Sequence, residues 1–116
     1  IQGDFKVKPG QFYMLRSWKD EPFLSRPISV HDVNDEGISF LYQIKGKGTE
    51  LLGQLNQGDE IQLLGPLGNG FDIENIKGKV AIVTGGIGIA PMMLTAKKLG
   101  DCTIDFYAGF RDEAYM

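Results

Sequence analysis

Three short stretches hold residue types that suit a phosphate or a flat heterocycle. In "SRPISV" (25–30) a guanidinium at Arg26 stands at the start of a strand, with paired N–H donors that match phosphate oxygens. Pro27 forbids a ladder donor there, and the Ser29 hydroxyl could donate to a ring nitrogen. In "GKGTELL" (46–52) Gly46 and Gly48 loosen a loop, Thr49 stands where a helix N-cap would, and the amides of Thr49 and Glu50 could hold a phosphate oxygen. In "VTGGIGIAP" (83–91) an apolar strand meets a turn with Gly85, Gly86 and Gly88 before Pro91. Glycines let the backbone approach a ligand closely, and helix-start amides then point at an anion. Each stretch also has a plain structural reading when viewed alone: a surface arginine with an edge serine, ordinary helix capping, and a tight βα turn.

Other chemistries are poorly supplied. No carboxylate pair is spaced for acid–base work, and no Lys-Ser/Thr pair follows the glycines as in a P-loop. His31 reads as a solvated or capped residue, Met92 and Met93 as core, and "KDE" (19–21) and "NDEG" (34–37) as solvated turns. Trp18 and Tyr13 either border a base or simply pack.

The elements that must position these residues change character along the chain. Strands are predicted at 11–17, 27–33, 37–45 and 59–65, with turn formers between them and one short helix at 48–55. That spacing points to an antiparallel barrel or sandwich. From Gly78 the pattern becomes β-α-β: an apolar strand at 79–85 with the character of a doubly covered sheet, a helix at 90–100 with Pro91 in its first turn, and a strand at 102–109. Two parallel strands and one helix leave a sheet face open, so this half reads as the first third of a larger α/β domain.

The 116 residues are 42% hydrophobic and 23% charged, with net charge −3, the balance of a soluble globular chain. That acidity argues against nucleic acid as a partner and requires any anion to be held locally. The longest apolar stretch is too short and too broken by glycine and proline to span a bilayer, so no membrane association is expected. The single cysteine, Cys102, fits a reducing, cytoplasmic setting and a small core residue.

In this order the three stretches resemble the ferredoxin-reductase family of flavoproteins. The likeness rests on Arg26-Pro27-Ile28-Ser29, on Gly48-Thr49 and on Gly86, Gly88 and Pro91, and it covers nearly the whole chain. It implies an all-β antiparallel Greek-key barrel binding FAD over residues 1–76, with barrel sequence ahead of Ile1, then the first βαβ part of a truncated NAD-binding α/β domain over 77–116. Arg26 would neutralise FAD phosphate, and Pro27, Ile28 and Ser29 would line the isoalloxazine. Leu41, Tyr42 and Gln43 would shape the flavin wall, and Gly48 with Thr49 would bind pyrophosphate. Gly85, Gly86, Gly88 and Pro91 would shape the NAD approach.

Within that family, "RPISV", "KGKGTELL" and "LLGPLGNGFD" (63–72) are similar to the electron-transfer subunits of NAD-linked bacterial dihydroorotate dehydrogenases. The resemblance implies a catalytic FMN-containing partner subunit, a role in pyrimidine biosynthesis, and electrons passing through a [2Fe–2S] cluster to FAD and then to NAD. One cysteine cannot ligate that cluster, so its ligands are expected beyond Met116 and this stretch alone is not expected to turn over. Two other functions fit the same residues. One is the flavin reductase of an oxygenase or of another NAD(P)H–ferredoxin oxidoreductase; the other is a non-catalytic barrel that docks a partner.

Overall fold

Alternation of apolar and polar residues builds the first sheet. β1 (Phe12–Arg16) buries Tyr13 and Leu15, and β2 (Arg26–Val33) buries Ile28 and Val30, at every second position. The two pair antiparallel, with Tyr13 opposite Ile28 and Leu15 opposite Arg26. β3 (Ile38–Phe40) adds to the far edge of β2, and β4 (Gln62–Leu67) adds to the far edge of β1, giving the order β3–β2–β1–β4. This is a computed structural model, and it describes residues 1–19 and 24–111. The expected turn at 19–21 therefore reaches outside the described residues.

The sheet is open. Among the described strands β3 and β4 do not pair with each other, so the closed Greek-key ring expected from the sequence is not what these strands form. The predicted strand at 37–45 ends at Phe40, and Leu41 to Lys45 make no ladder. β3 thus supplies only three residues to close an edge that would need five or six.

α1 (Gly46–Gly53) crosses from this sheet and presses Leu52 into the core. Tyr13, Leu15, Ile28, Val30, Ile38 and Leu52 form that core. The Tyr13 ring meets Phe5 and Phe40 edge-on, at centroid distances of 6.3 and 5.7 Å. Gly65 lets that ring lie against the backbone, since a Cβ there would stand 2.7 Å from Tyr13 Cγ.

β5 (Lys79–Gly85) and β6 (Thr103–Gly109) are parallel and in register from Lys79–Thr103 to Gly85–Gly109. Between them come a 3₁₀ turn (Gly86–Ile89) and α2 (Met92–Lys98). The helix predicted at 90–100 is therefore shorter, and Pro91 is its cap residue rather than part of its first turn. One face of this sheet is covered and buries Ile82 and Thr84. The other leaves Val83 76% and Tyr107 59% exposed, the open face expected of two parallel strands with one helix. α2 inserts Leu94, 1% exposed, into the antiparallel sheet's core, while Met93, expected to be core, stays exposed. Cys102 is half-buried just ahead of β6 rather than within it.

Burial pushes the phenols of Tyr13 and Tyr42 above the ordinary tyrosine value. The folded protein then holds these protons when the unfolded chain releases them. Their contribution to stability is complete below about pH 10 and is lost as pH rises through the folded values. Tyr13→Phe is expected to flatten the fall in denaturation midpoint between pH 8 and pH 11, as measured by urea melts at each pH.

Candidate functional site

The start of α1 is where the predicted phosphate ligands meet. Lys45 caps the helix in an extended conformation (φ −142°, ψ 110°), and its side chain makes no capping hydrogen bond. The first turn contains no acidic residue. The amides of Gly46, Lys47 and Gly48 therefore begin the helix with no intrahelical acceptor, and the positive end of the helix dipole lies behind them.

Arg26 lies directly over this turn. A Cβ at Gly48 would stand 2.9 Å from Arg26 Cγ, nearer than real side chains approach, and a tight 3.0 Å from its Cζ. The guanidinium carbon is also 6.0 Å from the Trp18 ring centroid, and Nη1 donates to the Leu24 carbonyl at 3.1 Å. Glycine at 48 is thus a requirement of close approach, and the result is a guanidinium beside an uncapped helix start flanked by Lys45 and Lys47. Such a group of donors suits a diphosphate, although the chain as a whole is acidic.

Thr49 has a different part from the one predicted. The helix starts four residues earlier than an N-cap at Thr49 requires, so the amides of Thr49 and Glu50 lie inside the helical ladder. The Thr49 hydroxyl accepts from the Lys45 amide at 2.6 Å and donates to the Lys45 carbonyl at 2.7 Å, and the residue is 7% exposed. It staples the loop into the helix. The outward donors missed in the sequence are Gly46 and Lys47, and the signal for them was Gly46, whose φ of +78° favours glycine.

The other predicted residues divide by strand face. Pro27 is exposed and Ser29 half-exposed on one face of β2, while Ile28 points the other way into the core. Ile28 therefore backs the sheet and cannot share a surface with its neighbours. Tyr42 lines a small, mostly apolar pocket of about 310 Å³ with Leu15, Ile38, Leu52 and Leu55. Leu41 and Gln43 are half-buried beside it, outside any strand.

The glycine turn follows β5. Gly86 needs its glycine, at φ +56°, whereas Gly85 is extended and carries no positive φ. A Cβ at Gly85, Gly86 or Gly88 would meet nothing within 4 Å, so the outer surface of the turn is open. Just behind it the Thr84 hydroxyl is buried without a hydrogen-bond partner. His31, expected to be solvated or capped, reaches the Ala90 carbonyl with Nδ1 at 2.6 Å.

A larger cleft of about 880 Å³, lined by Phe71, Ile73, Ile76, Lys98, Leu99 and Cys102, contains none of these residues. It opens near the chain segments that precede β5 and β6, at the other end of the parallel strands from the glycine turn. Among the described residues no cluster of His, Cys, Asp and Glu could hold a metal, and no helix is long and apolar enough to cross a membrane.

No protein-family model matches the chain. The chain is 63% identical over 111 residues to the "Dihydroorotate dehydrogenase B (NAD(+)), electron transfer subunit" of Clostridium acetobutylicum, covering 96% of this chain and 45% of that protein. It is 47% identical over 120 residues to the protein of the same name from Clostridium perfringens, covering 100% of this chain and 48% of that one. It spans about half the length of these curated relatives. Among solved structures, an NADH-dependent reduced ferredoxin-NADP oxidoreductase, studied for flavin-based electron bifurcation, superposes with TM-score 0.81 at 36% identity, over 95% of this chain and 41% of that one. The ferredoxin-NADP+ reductase of Plasmodium falciparum superposes with TM-score 0.76 at 20% identity over 97% and 50% of the two chains, a likeness of fold alone. The fold is ferredoxin-reductase-like.

The contact between Arg26 and Gly48 yields a stability test. Alanine in place of a helical glycine ordinarily stabilises by roughly 0.5–1 kcal/mol. Gly48→Ala is expected to forfeit that gain or lose stability by crowding Arg26, and to recover it in an Arg26→Ala background. Urea denaturation of the two single variants and the double variant measures the coupling.

Proposed function

We propose, for a chain whose sequence belongs with the dihydroorotate dehydrogenase B electron transfer subunits, that it forms the flavin-holding part and the nucleotide entrance of such a subunit. Residues 1–76 are read as the FAD domain, with the open antiparallel sheet as the wall of a Greek-key barrel, and residues 77–116 as the start of the NAD domain. The whole protein would pass electrons from dihydroorotate oxidation to NAD in pyrimidine biosynthesis. Its partner would be a catalytic FMN-containing subunit, and its [2Fe–2S] cluster would be held by chain outside this sequence. A cytoplasmic setting follows from that role.

The observation that carries this reading is the guanidinium of Arg26 lying over Gly48 at the uncapped start of α1. The cradle fits an FAD diphosphate. Its donors are main-chain amides and a cation, no carboxylate occupies the first turn, and a Cβ at position 48 would fill it. Pro27 and Ser29 would border the flavin ring, with Ile28 supporting them from beneath. Gly85, Gly86, Gly88 and Pro91 would admit the nicotinamide nucleotide at the open outer surface of the turn. When bound, FAD would supply the electron and hydride chemistry, and the chain's own residues bind and orient it.

The 36% identity to an NADH-dependent ferredoxin-NADP oxidoreductase favours a second reading, the flavin subunit of another NAD(P)H–ferredoxin oxidoreductase. Both readings demand flavin. In the full-length protein containing this chain, Arg26→Ala is expected to weaken FAD retention at least about tenfold, the scale of one charge-assisted contact, with loss of the flavin absorption bands on gel filtration. A folded, colourless wild-type protein that ignores added FAD would favour the partner-docking barrel and sink both.

A further inference from the structure

β2 grips both ends of the α2 region. At the leading end His31 Nδ1 lies 2.6 Å from the carbonyl oxygen of Ala90. A carbonyl only accepts, so Nδ1 carries the proton and donates. At the trailing end Lys97 Nζ reaches Asp32 Oδ1 at 2.7 Å and the Val33 carbonyl at 3.3 Å. Between the two grips Leu94 is buried in the core of the antiparallel sheet. The three residues that hold α2, His31, Asp32 and Val33, are consecutive.

Local backbone geometry explains why His31 can reach across. β2 pairs with β3 through Val30–Phe40 and then Asp32–Ser39, so His31 is an extra residue opposite no partner. Such a bulge bends the strand and re-aims a side chain. The peptide it holds is also unusual. Ala90 precedes Pro91, so that peptide unit has an acceptor but no N–H, and its carbonyl lies ahead of α2 at Met92.

We infer that His31 is a positioning residue, whose hydrogen bond to Ala90 fixes the glycine turn, and any nicotinamide nucleotide held there, relative to Ser29. Ser29 lies two positions earlier on the same strand, a span of about 7 Å. A single strand then carries both the flavin-bordering side chains and the anchor of the nucleotide turn. This inference rests on the proposed function and adds a residue to it that acts through Ala90. Hydride transfer falls off steeply with misplacement of about an ångström, so an anchor so near the reacting groups matters.

The test uses the full-length flavoprotein as wild type, His31→Ala and His31→Asn, because the asparagine amide can take the place of Nδ1. Three quantities are read: amide hydrogen exchange across residues 86–90, FAD content, and the rate of flavin reduction at saturating NADH. His31→Ala is expected to retain FAD, to exchange about tenfold faster across the turn, and to be reduced about tenfold more slowly, with His31→Asn recovering most of both losses. Unchanged exchange and reduction in His31→Ala would overturn the inference, and so would failure of His31→Asn to restore either quantity. Loss of FAD from both variants together with a lowered melting temperature would also overturn it, in favour of a purely structural histidine. A wild-type protein that holds no flavin would overturn the proposed function and this inference with it, whereas a flavin-loaded protein indifferent to His31→Ala overturns the inference alone.

Discussion

A guanidinium set against the bare start of a helix is the constraint on which this structure turns. Arg26 can occupy that place only because residue 48 has no side chain. The N-cap side chain makes no capping bond, so the first amides of the helix have no intrahelical acceptor and are open to an anion. Thr49 completes the arrangement by tying the loop backbone at Lys45 into the first turn, which holds the amides of Gly46, Lys47 and Gly48 in place. Positive potential is thereby concentrated at one point of a chain whose net charge is −3. Removal of any one member changes the geometry of the rest.

β2 extends that constraint across the molecule. It starts at Arg26 beside α1, passes through the Pro27 and Ser29 surface, and ends at the residues that hold α2. Its buried positions, Ile28 and Val30, keep it fixed within the core, and Leu94 of α2 joins the same core. The antiparallel and parallel sheets are therefore joined through apolar packing as well as through polar contacts. Along the strand, Arg26 and His31 lie about 17 Å apart, a distance that a rigid β-strand holds well.

Sequence reasoning located the elements with strong local signals and misjudged those decided by neighbours. β5 was legible to the residue because an apolar run between Gly78 and Gly85 has clear punctuation at both ends. β1 and β2 were legible through alternation, the same alternation that turns Ile28 and Ser29 to opposite faces. β3 was overextended, since Leu41 to Ile44 have strand-like composition yet form irregular chain from which Tyr42 packs against the core. The start of α1 was placed too late because threonine is a common N-cap, and here its hydroxyl bonds the backbone from within the helix. Met93 was expected in the core, but the register of a helix only seven residues long gives that place to Leu94. The bonds of His31 and Lys97 span 59 and 65 residues, and no local pattern announces contacts at that separation.

The two grips on α2 differ in how solvent acts on them. Lys97 is 45% and Asp32 21% exposed, so dissolved ions screen their attraction, over a Debye length of about 8 Å at physiological ionic strength. The His31–Ala90 bond ends on an uncharged carbonyl rather than a carboxylate and is less affected by added salt than the ion pair. Rising salt would therefore weaken the trailing contact of α2 and leave the leading one, while buried Leu94 and Leu99 keep the helix seated. The glycine turn lies at the end whose contact is the less sensitive to ions.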